Sequence, residues 1–279
     1  MALGLGIVFL IGIRDDRFIS LTEVNEQLGE MIVGQVPAVL GLPPDAPVPL
    51  LEFGDQRQAY AESFRSLRSA LFFMATDGAR PRVVLITSAV PHEGKSTVAA
   101  NLARTLALGG SRVILIDGDL RRGVLHKLIN SPAEPGLAEL LSQPGDLDKF
   151  IQTNTIPNFS FIARGQISPN SGDLFHGPAF DQIVARLRQQ FDYVLIDSSP
   201  VFAADDASTL APRVDGTLFV VRSRFSSARP VREALDLLYQ RGSRVLGVIF
   251  NRADATAHSY YYYKYGEYSG TGIAERTKA

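Results

Sequence analysis

The segment "ITSAVPHEGKST", residues 86–97, constrains the fold more than any other stretch. It joins a β-branched apolar run, "RVVLITSA", to a stretch from Ser96 to Leu108 whose alanines and leucines recur at helical spacing. Between the two, positions 89–96 match the phosphate-loop pattern GxxxxGK(S/T), with Ala89 where glycine is usual. Phosphate chemistry explains the residue types. Backbone N–H groups of the loop and helix N-terminus cradle phosphate oxygens, and Gly94 lets the backbone approach. Lys95 neutralises the β and γ phosphates, and Ser96 offers a hydroxyl to magnesium. The strand before and the helix after weigh against the competing reading, a plain strand-to-helix turn. Glu93, Gly94, Lys95, Ser96 and Thr97 are therefore the first expected nucleotide-binding residues.

The rest of the chain repeats the same alternation. "RVILID" (112–117), "FSFIA" (159–163), "DYVLID" (192–197), "TLFVV" (217–221) and "RVLGVIF" (244–250) are near-continuous apolar runs. Such strands are buried on both faces, the mark of a parallel sheet covered by helices. Helical patterns fall at 58–73, 96–108, 136–142, 178–190 and 229–241. With 279 residues and 46% hydrophobic content, the chain is long enough for one large core. The expected fold class is α/β: a single P-loop NTPase domain with a mostly parallel central sheet, helices on both faces, and a deviant Walker A loop.

Carboxylates close several of these strands. "VILIDGDLRRG" ends in Asp117 and Asp119, and "FDYVLIDSSP" ends in Asp197. In an open parallel sheet the carboxyl ends of neighbouring strands converge on the ligand crevice. One aspartate at a strand end reads first as a helix cap. Three in register with a phosphate loop read as a catalytic group with Lys95, sharing a cation to relieve their repulsion. The expected cation is Mg2+ brought with ATP, bound directly by Ser96 and mainly through water by Asp117 and Asp197. "GVIFNRAD" ends its strand in Asn251 and Arg252, placed to meet the nucleotide. Asn251 reads either as a hydrogen-bonding partner of an adenine edge or as a turn former. Arg121 and Arg122 read equally as contacts to phosphate or a neighbouring subunit and as solvated surface arginines.

Composition excludes several functions. Lysine plus arginine (28) nearly balance aspartate plus glutamate (29), so no global basic field points to nucleic acid. The absence of cysteine removes disulfides, thiolate catalysis and cysteine-ligated zinc, and fits a reducing compartment. Residues 2–13, "ALGLGIVFLIGI", are too few to span a bilayer and lack the preceding positive charge of a signal peptide. They read either as a buried element or as the cytoplasmic end of a membrane helix, with Arg14 and Arg17 on the positive-inside flank. Prolines in "LGLPPDAPVPL" mark a linker. Near the other end, "HSYYYYKYGEY" places six tyrosines within positions 260–268 without apolar periodicity.

Together these segments resemble the bacterial tyrosine kinases, the cytoplasmic catalytic part of polysaccharide co-polymerases that control capsule or exopolysaccharide chain length. The likeness rests on "SAVPHEGKST" as Walker A, "ILIDGDLRRG" as Walker A-prime, "DYVLIDSSP" as Walker B, "ESFRSLR" as an ExxRxxR element, and the tyrosine-rich tail. The first three are shared with partition-type and division-site ATPases. Those usually carry a second lysine after the first loop position, where this chain has Val90.

The resemblance implies an autokinase that phosphorylates Tyr260, Tyr261, Tyr262, Tyr263, Tyr265 and Tyr268 in trans, with Asp119 as base, and regulates polysaccharide synthesis and export. It implies a homo-oligomer, as a ring, with Glu62, Arg65 and Arg68 at the subunit contact. Their three-residue spacing fits an intrahelical surface pair equally well. Further implied partners are a transmembrane co-polymerase region, fused or separate, and a protein-tyrosine phosphatase. The implied location is the cytoplasmic face of the bacterial inner membrane. The expected organisation is an apolar stub (1–17), a juxtamembrane segment and linker (18–57), the kinase domain (58–255) and a flexible tail (256–279). The alternative is a partition-type P-loop ATPase acting as a nucleotide switch without phosphorylating protein.

Overall fold

A computed structural model describes residues 16–254 apart from 40, 44–47, 75–77, 144, 154 and 168–170. The apolar stretch 2–13 and the six tail tyrosines lie outside the described residues. No helix among the described residues is long and apolar enough to cross a membrane.

The strands are β1 (Ile32–Pro37), β2 (Val83–Ser88), β3 (Val113–Asp117), β4 (Gln152–Thr153), β5 (Phe159–Ile162), β6 (Tyr193–Asp197), β7 (Gly216–Arg222) and β8 (Val245–Ala253). They form one sheet in the order β1-β8-β7-β2-β6-β3-β5-β4. Every neighbouring pair is parallel except β4 with β5. All residues of β2, β3 and β6 are buried, as continuous apolar runs require. Alternate residues feed opposite faces: Val83 and Leu85 join one apolar cluster, Val84 and Ile86 the other.

Helices cover both faces. On one lie α2 (Gln58–Phe73), α3 (Lys95–Leu108) and α4 (Leu125–Ile129). On the other lie α1 (Leu21–Leu28), α5 (Leu137–Ser142), α6 (Ala179–Gln190), α7 (Asp206–Leu210) and α8 (Ala228–Gln240). The helices expected at 58–73, 96–108, 136–142, 178–190 and 229–241 are present to within one residue at each end.

Residues 18–57 add more structure than their sequence suggested. In "LTEVNEQLGEMI", residues 21–32, a helix runs from Leu21 to Leu28 and stops because Gly29 turns left-handed (φ 66°) and its N–H closes onto the Asn25 carbonyl. The chain then enters β1, which pairs with β8 along the sheet edge. Only Val36 and Pro37 of this strand are buried, so no alternation announced it. Downstream, the Asn101 carboxamide of α3 accepts from Leu51 N–H (2.7 Å) and donates to Tyr60 Oη (3.1 Å), tying the segment before α2 to the helix that follows the phosphate loop.

A candidate nucleotide and phosphoryl-transfer site

The loop from Ala89 to Gly94 leaves β2 at the carboxyl edge of the sheet and enters α3 at Lys95. Ala89 is fully buried, so an alanine serves as core there and no glycine is needed. Two residues adopt left-handed backbone, His92 (φ 70°) and Gly94 (φ 92°). Such a backbone turns successive N–H groups toward one concavity. A side chain at Gly94 would also collide: its Cβ would lie 2.2 Å from Asn251 Nδ2.

Three side chains from outside the loop fix this shape. Asn251, at the end of β8, donates to the Glu93 carbonyl (2.9 Å), and its Oδ1 accepts from Arg252 N–H (2.9 Å). Arg222, at the end of β7, donates to the His92 carbonyl (2.9 Å). The Ser226 hydroxyl donates to the Glu93 carboxylate, which also accepts from Val90 N–H (2.8 Å). Glu93 is 1% exposed, and burial raises its pKa. In the chain by itself the Glu93 carboxylate faces inward as a brace, and the Asn251 amide holds the loop through the Glu93 carbonyl.

Beside the loop lies a cavity of about 800 Å³, lined among others by Gly94, Lys95, Ser96, Thr97, Asp119, Arg121, Arg122 and Arg252. Asp117 and Asp197 sit beneath it, both fully buried and directly paired in register across β3 and β6. Lys95 Nζ stands 3.6 Å from Asp119 Oδ2 and 3.7 Å from Asp197 Oδ1. The cation shared by the carboxylates in the protein alone is thus the Lys95 ammonium. Burial lowers the Lys95 pKa, but Asp197, Asp119 and Asp117 together outweigh it and leave it raised. Asp197 moves the other way from a usual carboxylate: burial pushes it up to about 6 despite Lys95. Burial, with Asp197 adjacent, also raises Asp117 well above the ordinary range.

The three carboxylates differ in what they can still accept. Asp119 Oδ1 takes the Arg122 N–H at 2.8 Å, which aims Oδ2 at Lys95. Asp117 Oδ2 takes the Leu125 N–H at 3.1 Å, and Gly123 leaves room for the carboxylate, since a Cβ there would lie 2.3 Å from Oδ1. Asp117 Oδ1 and both Asp197 oxygens are buried without a hydrogen-bond partner. Orphaned anionic oxygens beside Ser96 and Lys95 suit a hydrated divalent cation. Among the described residues, no three acidic or histidine side chains converge tightly enough to hold a metal by themselves. Such an ion must take its remaining ligands from water and phosphate, which is how magnesium is usually held.

The expected subunit-contact residues lie on α2, away from the cavity. Arg65 pairs with Glu62 at 2.7 Å on the exposed face. Arg68 donates to the Thr105 carbonyl (3.3 Å) in the last turn of α3, where a cation complements the helix end. In the single chain the first pair is intrahelical and Arg68 is a packing contact.

A left-handed phosphate loop followed by a helix, with acids at the ends of adjacent parallel strands, defines a P-loop nucleoside-triphosphate-binding domain. Residues 84–264 match the family model described as "CobQ/CobB/MinD/ParA nucleotide binding domain". The chain is 31% identical over 224 residues to the tyrosine-protein kinase CpsD of Streptococcus pneumoniae, covering 79% of this chain and 99% of that one. It is 35% identical over 219 residues to the tyrosine-protein kinase Wzc of Salmonella typhimurium, covering 78% of this chain and 30% of that protein. Among solved structures, the kinase domain of the Escherichia coli tyrosine kinase ETK superposes with a TM-score of 0.75 at 28% identity, over 85% of this chain and 95% of that domain. The BceF tyrosine kinase domain gives 0.74 at 31% identity, over 84% and 98%. The chain belongs to the bacterial tyrosine kinase family. It spans less than a third of Wzc and of the other long relatives that it matches.

Proposed function

We propose that the chain is an ATP-dependent protein-tyrosine autokinase that phosphorylates its C-terminal tyrosine cluster in trans and so regulates exopolysaccharide or capsule synthesis and export. The carrying observation is the arrangement of Asp119 and Lys95. One Asp119 oxygen is anchored by the Arg122 N–H, while the other faces the Lys95 ammonium across 3.6 Å inside the cavity. An anchored carboxylate beside an ammonium supports reading the two as a base and a phosphate-binding cation.

The chemistry then balances. A phenol with a pKa of about 10 must lose its proton as it attacks phosphorus. Its oxygen forms a bond to the γ-phosphorus, the bond from that phosphorus to the β-phosphate oxygen breaks, and Asp119 takes the proton. Lys95, Thr97 and the loop amides bind the phosphates and stabilise charge on the transferring group. Arg252, on the cavity wall, meets the nucleotide from the β8 side. Ser96, with Asp117 and Asp197 through water, would hold magnesium, which supplies charge neutralisation on the phosphates.

Six tyrosines in tandem let a tail enter a neighbour's site in several registers. A ring of copies, contacting through Glu62, Arg65 and Arg68, presents each tail to the next site. A membrane co-polymerase region, fused or separate, places the ring at the cytoplasmic face of the inner membrane, and a tyrosine phosphatase resets it. Incubation of the full chain with Mg-ATP, followed by mass analysis of the C-terminal peptide, tests the reading. Phosphate on tyrosine in the intact chain, lost on Lys95→Met, supports it. ATP turnover that persists on tail deletion, with no tyrosine ever modified, supports the nucleotide-switch alternative instead.

A further inference from the structure

Arg121 and Asp206 form a pair that the nucleotide site leaves unexplained. Asp206, the first residue of α7, is 2% exposed, and its Oδ2 is buried without a hydrogen-bond partner. The Arg121 Nε stands 3.9 Å from that oxygen, beyond hydrogen-bonding distance and at the outer limit of an ion pair. Burial raises the Asp206 pKa, and Arg121 is the cation that opposes this. Gly172 confines the same guanidinium from another side: a Cβ there would lie 2.8 Å from Arg121 Nη2 and 3.2 Å from Asp206 Oδ1.

A buried carboxylate with an orphaned oxygen is costly to keep, and a surface cap would not need it. Its effect is to fix an arginine whose own side chain is 47% exposed and lines the cavity two residues beyond Asp119. Among the described residues Arg121 makes no hydrogen bond, so its fork of N–H donors, drawn toward Asp206 by charge alone, is left open. Such a fork suits a phosphoryl group, which it can grip through two parallel bonds.

We propose that Asp206 is a positioning residue that holds Arg121 on the acceptor side of the cavity as a receptor for a phosphoryl group already present on the tyrosine substrate. This rests on the kinase reading above. Two sources could supply that group: the nucleotide's terminal phosphate and a phosphotyrosine. Lys95 and the loop amides already meet the nucleotide's phosphates from the α3 side. Arg121 follows β3, two residues past the base, and its half-exposed side chain lines the same cavity. With six tyrosines in positions 260–268, an acceptor presented to Asp119 always has another tyrosine within a few residues. Modification of one tyrosine would then favour modification of its neighbours.

The test uses the dephosphorylated full chain with ADP present, and labelled peptides of residues 258–268, either unmodified or phosphorylated on Tyr261. Binding is read by fluorescence anisotropy, and ADP affinity by calorimetry. The expected result is that the wild-type chain prefers the phosphopeptide by about tenfold, the size of one charge-assisted contact. Asp206→Asn and Arg121→Gln should each erase the preference while ADP affinity stays within about twofold, as for a separate contact. Should Asp206→Asn fail to fold, Arg121→Gln, at a half-exposed side chain, carries the test alone. The proposal is overturned by a wild-type chain with no preference, or by a preference that survives in the Arg121 variant. It is equally overturned by ADP affinity that falls in parallel, which assigns the guanidinium to the nucleotide. A wild-type chain that never labels the unmodified peptide with Mg-ATP refutes the kinase reading itself, whatever the peptide preference.

Discussion

Replacing Gly94 with alanine tests how the phosphate loop is held. The residue sits at φ 92°, where a Cβ costs about 1–2 kcal/mol in the left-handed region. The new methyl would also stand 2.2 Å from Asn251 Nδ2, so the amide must leave the Glu93 carbonyl. Breaking that bond and stranding a buried amide costs roughly 1–3 kcal/mol. Together about 2–5 kcal/mol falls on the loop, which corresponds to a loss of about thirty-fold to several-thousand-fold in ADP affinity. Calorimetric titration of ADP reads the loss. The double variant Gly94→Ala/Asn251→Ala removes the clashing amide and should recover part of it, leaving the backbone cost. A coupling between the two sites of at least about 1 kcal/mol is expected for groups in contact. Wild-type ADP affinity in Gly94→Ala, or strictly additive losses in the double variant, would show that Asn251 does not shape the loop.

Further outcomes follow from the same geometry. Asp119→Asn should lower the rate of tyrosine labelling by about 10²–10⁴-fold, the range for losing a general base, while ADP affinity is retained; equal labelling rates in a rapid-quench assay contradict that role. Burial raises the Asp197 pKa from 3.8 to about 6, so the folded chain holds this proton more tightly than the unfolded one. Its contribution to stability is therefore full below about pH 4 and lost as pH rises through 6, by about 3 kcal/mol at most. Asp197→Asn should raise the melting temperature at pH 8 and flatten that slope, and a lower melting temperature there refutes the sign. The Asp215 carboxylate accepts from Arg82 N–H (2.7 Å), Val83 N–H (2.8 Å) and the Arg188 guanidinium (3.0 Å) at the start of β2. Asp215→Ala should cost about 2–3 kcal/mol of unfolding free energy in urea titrations with little change in ADP affinity. Arg65→Glu loses only an exposed intrahelical pair, worth under about 0.5 kcal/mol. An unchanged melting curve with a smaller mass by light scattering would mark α2 as a subunit contact, and an unchanged mass would remove it from that role.

Much of this architecture was legible because strongly patterned segments decide themselves. β2, β3 and β6 are apolar at nearly every position, and a strand with no polar alternation has few places to go except the middle of a parallel sheet. The phosphate loop could be located because its chemistry demands a glycine, a lysine and a hydroxyl in fixed order. β1 was hidden, since an edge strand that buries only Val36 and Pro37 carries no alternation to read. At the site, sequence singled out Lys95, Asp117, Asp119 and Asp197, which the fold brings together, but not the residues that brace the loop beside them. Ser226, Arg222 and Asp206 act through contacts of 133, 130 and 85 positions' separation with Glu93, His92 and Arg121. No local pattern encodes such pairings. Asn251 could be placed at its strand end, yet its hydrogen bond to the Glu93 carbonyl depends on the left-handed turn at Gly94 that brings the backbone against it.

The most direct test of phosphoryl transfer between copies mixes two chains, one without the phosphate-binding lysine and one without the acceptor tail. One carries Lys95→Met with an intact tail; the other keeps Lys95 but lacks residues 255–279. Incubated together with Mg-ATP and analysed by mass spectrometry, the pair should place phosphate on the tail tyrosines of the Lys95→Met chain, while each chain alone gives none. A tail that stays unmodified in the mixture, although the truncated partner binds and turns over ATP, would contradict the account.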